Sequence, residues 1–426
     1  MPRLGGAVIP MHQNLTSQIE YNNDNLIKFE EYNISYQVGD ARLLTRMQVA
    51  PVWKPFTDQT IEFLNTVSRI LLSSPEAKGY PDVITLAFWM RKASLEQLRK
   101  RFMQEEAGMY RRGRGVIFHI APSNVPVNYA YSLVTGLLCG NFNVVRIPSK
   151  DFPQVKIINR AINQALEKHT EMIPYLVLVQ YGHESIINDA LSSIADVRVV
   201  WGGDNTINEL RNSPMKPRAT EITFSDRYSI AVIDSDKYMK IQNKAMVSKD
   251  FYNDTYLSDQ NACTSPRMVI WMGNSITEAK RLFWEELHNL LAKEYELQGV
   301  QAVNKLTSAY LLAVKYECVT KEEQDDNLIV RMKVNELSSG LMDYQDNSGY
   351  FFEYECKDIL ELKELCNDTR CQTLSYIGDA ANFMPLLESG IRGIDRIVPV
   401  GKTMDFELHW DGYNLFERFT NTITIR

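Results

Sequence analysis

Cys263 lies among small and polar residues in the segment 259–267, which reads Asp-Gln-Asn-Ala-Cys-Thr-Ser-Pro-Arg. The segment lies between a predicted helix, residues 236–252, and an apolar run that predicts a strand, residues 268–272. At such a junction a thiol can be partly exposed beside backbone N–H groups, which makes it a usable nucleophile. Cysteine is also common as a small buried apolar residue. The segment alone leaves both roles open.

The loop of residues 121–126, Ala-Pro-Ser-Asn-Val-Pro, separates a predicted strand from a predicted helix. Strand ends and helix N-termini present backbone N–H groups to ligands in nucleotide-binding sheets. The Asn124 amide could donate a hydrogen bond to a developing oxyanion. Alternatively, Ser123 or Asn124 caps the helix that follows. The loop is therefore a candidate for oxyanion binding, with helix capping as the competing interpretation.

Cations and a hydroxyl follow the predicted strand of residues 143–146. The strand ends at Arg146, and Ser149 and Lys150 come directly after it. In a nucleotide-binding sheet the end of the second strand contacts the adenosine ribose, where an acidic residue favours NAD by repelling a 2′-phosphate. Here the nearest acid is Asp151, after two cations and a hydroxyl. These residues favour NADPH, and a surface turn is the alternative.

Two glycines, Gly202 and Gly203, follow the predicted strand of residues 197–201, and Thr206 begins the next predicted helix. Since glycine lacks Cβ, the backbone there can approach a phosphate or a nicotinamide closely. A tight turn with Asp204 as helix cap explains the same residues. The pair is therefore a candidate for cofactor binding, with a structural turn as the alternative.

A cysteine–histidine pair of the protease type would be a different use of Cys263. The candidate histidines are His119, His183 and His409, but no spacing puts any of them beside the cysteine. His119 lies inside an apolar strand, where a histidine is usually a hydrogen-bonded core residue. The sequence therefore gives the protease interpretation little support.

The elements that must position these residues alternate between strand and helix from residue 115 onward, which predicts a parallel sheet with helical crossovers. This pattern predicts a doubly wound, Rossmann-type α/β domain. No Gly-x-Gly-x-x-Gly follows the first strand, so a nucleotide must be held in another way. The predicted strands are 115–121, 143–146, 175–180 and 197–201, and the predicted helices are 125–138, 154–168, 184–193 and 206–211.

A second alternating region follows the first. Its predicted strands are 268–272, 327–334, 349–354 and 372–377, with helices at 275–293, 304–319, 358–366 and 379–389. Near the N-terminus we predict strands at 33–38 and 41–49 and helices at 58–73 and 94–106. The predicted parts are an N-terminal mixed α/β region packed on the cofactor domain (1–104), a dinucleotide-binding domain (105–238), a catalytic cysteine domain (239–400) and a C-terminal tail that is a candidate for oligomerisation (401–426).

The composition indicates a globular protein, with 45% hydrophobic and 23% charged residues in a chain of 426. The net charge of −7 gives no bulk attraction to nucleic acid or to an anionic membrane. Six cysteines without zinc-finger spacing predict a reducing compartment and no metal. Because the sequence has no run of 18 apolar residues and no secretory leader pattern, we predict no membrane span and a cytoplasmic location.

Taken in order, these motifs resemble the aldehyde dehydrogenase superfamily and, within it, the LuxC-type fatty acyl-CoA reductases. Residues 122–126 are similar to the superfamily's Pro-Trp-Asn-Phe-Pro, whose Asn is an oxyanion donor. Residues 260–263 with Arg267 resemble its Gly-Gln-x-Cys block, and residues 396–412 are similar to the LuxC-type C-terminal signature. The resemblance implies an aldehyde dehydrogenase-like fold with a Rossmann-type cofactor domain plus an α/β catalytic domain, in which Cys263 is the nucleophile.

The resemblance also bears on the cofactor and on the direction of the reaction. Arg146 stands where the superfamily has a Lys and Ser149 where it has a Glu, which again implies NADPH. The general base of the hydrolytic members corresponds to Thr223, with Glu221 two residues away, so water attack on an acyl-enzyme should be slow. The implied cofactor-binding residues are Pro122, Ser123, Arg146, Ser149, Lys150, Gly202, Gly203 and Thr206.

We therefore expect NADPH to reduce an acyl-CoA, with a fatty acyl chain, to the aldehyde through an S-acyl intermediate on Cys263, with Asn124 holding the oxygen. An NAD(P)-dependent aldehyde dehydrogenase forming acid or acyl-CoA is the first alternative. A non-catalytic or acyl-transferring partner of a larger complex is the second. Family analogy further implies an acyl-activating or thioesterase partner enzyme and a homo-oligomer.

Overall fold

A computed structural model describes residues 26–103, 109–122, 125–324 and 326–426. Its strands are β1 Ser35–Val38, β2 Met109–Gly113, β3 Val116–Ile120, β4 Phe142–Arg146, β5 Leu176–Gln180, β6 Val197–Trp201, β7 Thr220–Phe224, β8 Tyr228–Asp234, β9 Pro266–Met272, β10 Val319–Lys321, β11 Val330–Val334, β12 Tyr350–Glu355, β13 Cys371–Ile377, β14 Arg396–Pro399, β15 His409–Trp410, β16 Tyr413–Asn414 and β17 Thr420–Thr424.

The helices connect these strands and cover the sheets. They are α1 Ala41–Met47, α2 Asp58–Ser73, α3 Pro81–Trp89, α4 Lys92–Phe102, α5 Asn128–Leu138, α6 Pro153–Leu166, α7 Ser185–Ile194, α8 Asp204–Leu210, α9 Ser235–Lys240, α10 Lys244–Asp254, α11 Ile276–Glu294, α12 Gly299–Lys315, α13 Lys363–Asn367, α14 Met384–Glu388 and α15 Leu415–Phe419. In the described part of the chain no helix is long and apolar enough to span a membrane.

The first sheet has the strand order β1-β5-β4-β3-β6-β7, with β1 antiparallel and the other strands parallel. Strands β3 to β6 are buried almost throughout, and a parallel sheet covered by helices on both faces requires such continuous apolar runs. The chain moves outward from β3 to β5 and then returns to β6 on the other side of β3. This reversal creates the crevice at the carboxyl ends of the strands in which doubly wound sheets bind ligands.

The second sheet has the order β10-β11-β12-β9-β8-β13-β14, and β10 is its antiparallel strand. Strand β8 pairs in parallel with β9 and with β13, so it belongs to this sheet. The chain therefore passes from the first sheet to the second between Phe224 and Tyr228, before the boundary predicted at residue 238. The apolar run of β8 predicts a buried strand but not the sheet that it joins, because pairing depends on distant residues.

Two local predictions were wrong. Residues 41–49 were predicted as a strand but contain helix α1, whose first turn is capped by the Asp40 carboxylate accepting from the Leu43 N–H at 2.9 Å. The single helix predicted over 236–252 is two helices, α9 and α10, and the second begins after Asn243, which caps the Met246 N–H. In both places a short Asx cap, which is a weak sequence signal, determines where the helix begins.

The N-terminal helices and the C-terminal tail share the core of the first sheet. Helix α2 begins after the Thr57 cap and buries one apolar face against α6. From the tail, Phe406, Trp410 and Phe416 join the same core. Strand β17 pairs antiparallel with β2, which directly precedes β3 in the chain. The tail is therefore an integral part of the first core.

Candidate active site

The loop that carries Cys263 turns sharply between α10 and β9. Asp259 and Gln260 both have left-handed backbone conformations, with φ of 51° and 56°. Non-glycine residues pay about 1 kcal/mol each for this conformation, so surrounding contacts must hold it. The Gln260 amide is fully buried and donates to the carbonyls of Pro266 and Tyr350 at 3.0 and 3.2 Å. Its oxygen accepts from the N–H groups of Gly349 and Tyr350 at 2.8 and 3.1 Å, which ties the loop to the start of β12.

Arg267 holds the other side of the same loop. Its buried guanidinium donates to the Asp346 carbonyl and to Asn347 Oδ1, both at 2.6 Å, and to the Gln260 carbonyl. Burial lowers the pKa of Arg267 to about 10, so the group stays charged at neutral pH, and its charge interacts favourably with Cys263. A fixed cation is thus built into the cysteine loop.

Cys263 itself is half-buried. Its carbonyl accepts from Ser229 Oγ at 2.7 Å, and its neighbour Thr264 contacts Met404 Sδ at 3.3 Å. Burial, followed by the charge of Asp411, raises the pKa of the thiol to about 12, although Arg227, the Cys263 N–H and Gln372 act in the opposite direction. The resting thiol is therefore protonated, and the loop does not by itself produce a free thiolate.

The groups around the thiol come from the amino ends of neighbouring strands in the second sheet. Arg227 precedes β8 and pairs with Asp395, which precedes β14. Gln372 lies at the start of β13 with its side chain fully buried. Because β8, β9, β13 and β14 are parallel neighbours, their amino ends share one edge of the sheet. Cys263 lies at this edge, just before β9.

Asp411 reaches this edge from the tail. Asp411 and Gly412 form the two-residue turn of the β15–β16 hairpin, and both have positive φ, 50° and 73°, as a type I′ turn requires. The Asp411 carboxylate is buried and accepts a hydrogen bond from Gln372 Nε2. Burial raises the pKa of Asp411 to about 7, against the lowering effects of Arg227 and Gln372. Asp411 lies in the segment 396–412 that resembles the LuxC-type C-terminal signature, but the resemblance assigned it no role.

The residues expected to bind the cofactor follow the carboxyl ends of β3, β4 and β6 in the first sheet. Pro122 follows β3 and is buried, while Ser123 and Asn124 lie outside the described residues. The backbone N–H of Ala121 donates to the Arg146 carbonyl at 3.0 Å, which joins the ends of β3 and β4. The topology therefore brings the predicted cofactor loops to one edge.

Three residues at the end of β4 and just after it were predicted to bind the cofactor. Two of their side chains are exposed, and the third makes contacts with the protein. Ser149 and Lys150 are exposed, and Lys150 lies over the Phe152 ring at 5.0 Å. Arg146 donates to the Gly182 carbonyl at 2.7 Å, and its guanidinium lies 4.5 Å from the Tyr181 ring centroid. Arg146 therefore contacts the loop after β5 and presents its cation next to that loop.

After β6, Gly203 is the residue that precedes helix α8, and Asp204 is the first helical residue. Thr206 is exposed, and a Cβ added to Gly202 would lie 3.4 Å from the Thr206 side chain. Trp201 stacks on Phe224 with ring centroids 3.7 Å apart, which fixes the strand end. The glycines leave the backbone accessible at this edge, and their role in cofactor binding stays a prediction.

His119 is a hydrogen-bonded core histidine, as predicted. Its ring nitrogens lie 2.7 Å from Ser132 Oγ and 3.1 Å from Asn143 Oδ1, and burial lowers its pKa to about 4. His183 and His409 are exposed. Within the described ranges, no group of three or more His, Cys, Asp or Glu residues is arranged to hold a metal ion.

Glu221 is engaged in ion pairs away from the cysteine edge. It lies in β7, and its two carboxylate oxygens accept from Arg198 at 2.5 Å and from Arg211 at 2.9 Å. Arg198 is almost fully buried, so loss of Glu221 would leave an uncompensated buried charge. With both oxygens paired to arginines, Glu221 is poorly suited to activate water.

Solved structures of known proteins share the fold of this chain. Solved structures with the same fold include an NAD-dependent benzaldehyde dehydrogenase from Corynebacterium glutamicum, with a TM-score of 0.63 and 13% identity over 95% of this chain and 96% of that one. Lactaldehyde dehydrogenase from Escherichia coli matches with a TM-score of 0.61 and 12% identity over 90% and 88% of the two chains. The aldehyde dehydrogenase-like α/β fold expected from the sequence is thus confirmed.

A family model described as acyl-CoA reductase (LuxC) matches residues 91–422, and the chain belongs to this family. A long-chain acyl-protein thioester reductase from Photorhabdus laumondii is 22% identical over 95% of this chain and 84% of that protein. A protein of the same name from Aliivibrio fischeri is 24% identical over 69% of this chain. That match spans only 60% of the length of the Aliivibrio fischeri protein.

Proposed function

We propose that this protein reduces a fatty acyl thioester to the aldehyde with NADPH, through an S-acyl intermediate on Cys263. The observation that carries the proposal is a half-buried Cys263 in a loop held by Gln260 and Arg267. Family membership and relatives named long-chain acyl-protein thioester reductases support the thioester substrate.

The protein's own groups can carry out the acyl transfer. The Cys263 sulfur attacks the thioester carbonyl, the bond to the departing thiol breaks, and the proton lost by Cys263 leaves with that thiol. The nearby cations Arg227 and Arg267 stabilise the sulfur as its charge develops. Asn124 and the Cys263 N–H are the proposed donors to the carbonyl oxygen. Transfer therefore exchanges one thioester for another, with no net gain or loss of protons.

The residues at the carboxyl end of β4 fit a phosphorylated cofactor. Arg146 and Lys150 provide two cations there, and the nearest acid, Asp151, pairs with Lys156 at 2.8 Å. NADPH, when bound, would supply the hydride that reduces the acyl carbon. Pro122, Ser123, Ser149, Gly202, Gly203 and Thr206 are the other proposed contacts to the cofactor. The charge arrangement favours NADPH because a 2′-phosphate meets cations in place of an unpaired carboxylate.

The S-acyl enzyme should be reduced to the aldehyde and not hydrolysed to the acid. Hydrolysis of an S-acyl enzyme needs a positioned base, and Glu221, which was the alternative candidate, is paired with Arg198 and Arg211. This argues against an aldehyde dehydrogenase that forms acid. The acyl group can come from acyl-CoA or from an acyl-carrying partner enzyme, since both deliver a thioester.

Acylation can be tested with radiolabelled myristoyl-CoA, using denaturation and peptide mapping to find the labelled residue. We expect the label on Cys263, release of labelled aldehyde on adding NADPH, and no label in Cys263→Ala. The matched control is Cys318→Ala, since Cys318 is also free and half-buried, and it should label normally. Undiminished labelling of Cys263→Ala would exclude the proposal. Label on Cys263 that water releases as acid, with no aldehyde on adding NADPH, would favour the dehydrogenase.

A further inference from the structure

Gln372 links Cys263 to Asp411 at the amino edge of the second sheet. Its side chain is fully buried and donates through Nε2 to the Asp411 carboxylate. The next residue, Thr373, donates its N–H to Ser229 Oγ at 3.3 Å, and the same hydroxyl donates to the Cys263 carbonyl at 2.7 Å, so the start of β13 lies beside the cysteine. The Gln372 amide lowers the pKa of the Cys263 thiol. An amide nitrogen carries two N–H groups, so one can serve the carboxylate while the other serves the sulfur. The Gln372 oxygen has no hydrogen-bond partner among the described residues. The amide is thus oriented by Asp411, and its second N–H is the one that we assign to the thiol.

The hairpin turn holds Asp411 in this position. Trp410 pairs with Tyr413 across the turn, and the guanidinium of Arg396 lies 4.2 Å from the Trp410 ring centroid. Arg396 in turn donates to the carbonyls of Thr403 and Asp405 at 3.2 and 3.1 Å, which fixes the tail against β14. The carboxylate therefore has little freedom to turn away from Gln372.

Charged groups approach Asp411 from each neighbouring element. Arg227 before β8 and Arg396 in β14 attract its charge, and Asp395 before β14 repels it. From the loop before β9, the Cys263 thiolate and the Asp411 carboxylate would be like charges at one half-buried edge, and each like charge disfavours the other. The two groups should therefore titrate as a coupled pair.

We propose that Asp411 is a positioning residue that controls the reactivity of Cys263: its protonated form permits the thiolate, its ionised form opposes it, and Gln372 links the two. The proposal rests on the proposed function of Cys263 as the nucleophile. It assigns opposite effects to two neighbouring residues, since the Asp411 charge opposes the thiolate and the Gln372 donor stabilises it. A purely structural role would not give effects of opposite sign.

The test is the rate of alkylation of Cys263 by iodoacetamide against pH, read by mass spectrometry of the Cys263 peptide without substrate or cofactor. Asp411→Asn keeps an acceptor for Gln372 but removes the charge, so alkylation at pH 8 should rise about tenfold, which is one unit of thiol pKa. Gln372→Met removes the donor and should slow alkylation severalfold. Equal or slower alkylation in Asp411→Asn, or a change of the same sign in both variants, overturns the proposal.

Asp254→Asn is the matched control. Asp254 is another buried carboxyl group whose pKa burial raises to about 7, and it accepts from the N–H groups of Gly401 and Thr403. Its replacement should leave the alkylation profile of Cys263 unchanged. If Asp254→Asn shifts the profile as much as Asp411→Asn does, the effect is not specific to Asp411 and the proposal fails.

The pH dependence of Cys263 alkylation in the wild-type protein is a second test, and it does not depend on whether a variant folds. Coupling predicts that the logarithm of the alkylation rate rises with unit slope at low pH, flattens near pH 7 as Asp411 ionises, and then rises again. An unbroken unit slope overturns the proposal. Because no acyl donor is present, this readout is independent of acyl transfer, so failure of the proposed function would appear only in the labelling experiment.

Discussion

The two edges proposed to form the active site are built differently. At the carboxyl edge of the first sheet, Ser149 and Lys150 are exposed in the loop after β4, and Thr206 is exposed in the first turn of α8. At the amino edge of the second sheet, Gln260 and Gln372 are fully buried and hydrogen-bonded. Exposed polar groups can change at little cost in stability, whereas each buried polar group depends on its partners. Cofactor preference should therefore be easy to alter, and the cysteine loop should not.

The largest expected effect is that of Arg267→Met. It removes a buried guanidinium and leaves the acceptors from Gln260, Asp346 and Asn347 unpaired. Since hydrogen bonds to charged groups contribute about 1.5–3 kcal/mol each, the unfolding free energy should fall by about 3 kcal/mol or more. Urea denaturation measures this loss. Acyl labelling of Cys263 should fall with it, because Arg267 holds the loop.

Arg281→Met is the control for that variant. Arg281 lies on the exposed face of α11 and pairs there with Glu278 and Glu285. Its replacement should leave the urea denaturation midpoint equal to that of the wild-type protein within experimental error. Equal losses in the two variants would remove the contrast between a buried network and an exposed surface.

An intermediate effect is expected from pH. The folded-state pKa of Asp411, about 7, lies above its unfolded value, so its contribution to stability is complete below about pH 4 and is lost as pH rises through 7. From pH 5 to pH 8 the ionisation of this carboxyl should lower the unfolding free energy by about 2 to 3 kcal/mol. Asp411→Asn should remove that part of the decline, measured by urea denaturation at both pH values. Asp151 is exposed at the proposed cofactor site, and Asp151→Asn should leave the decline of unfolding free energy between the two pH values unchanged.

The smallest expected effect lies at the cofactor edge. Lys150→Glu places an acid where the 2′-phosphate is proposed to bind, so the KM for NADPH should rise about tenfold, or about 1.4 kcal/mol, with less change for NADH. The urea midpoint should not move, because the side chain is exposed. Lys168→Glu, exposed just after the carboxyl end of α6, is the control and should leave the KM unchanged. Equal effects on NADPH and NADH would contradict the assigned phosphate contact.

The sequence predicted features that depend on neighbouring residues better than those that depend on distant ones. Cys263, Gln260 and Arg267 lie within one short segment, and the alternation of strands and helices predicted the doubly wound sheet. The Gln372–Asp411 contact joins β13 to a hairpin in the tail, and no local pattern predicts such a pairing. Arg146 was predicted as a cofactor contact from its position at the end of β4, but its contact with Tyr181 depends on the loop after β5.

The β15–β16 hairpin contacts both sheets. Tyr413 packs edge-on against Phe224 of β7 with ring centroids 5.7 Å apart, and two residues earlier Asp411 contacts Gln372 of β13. A rotation of one sheet relative to the other must therefore stretch one of these contacts. Any such rotation would move Asp411 relative to Gln372 and so change the electric field at the Cys263 sulfur.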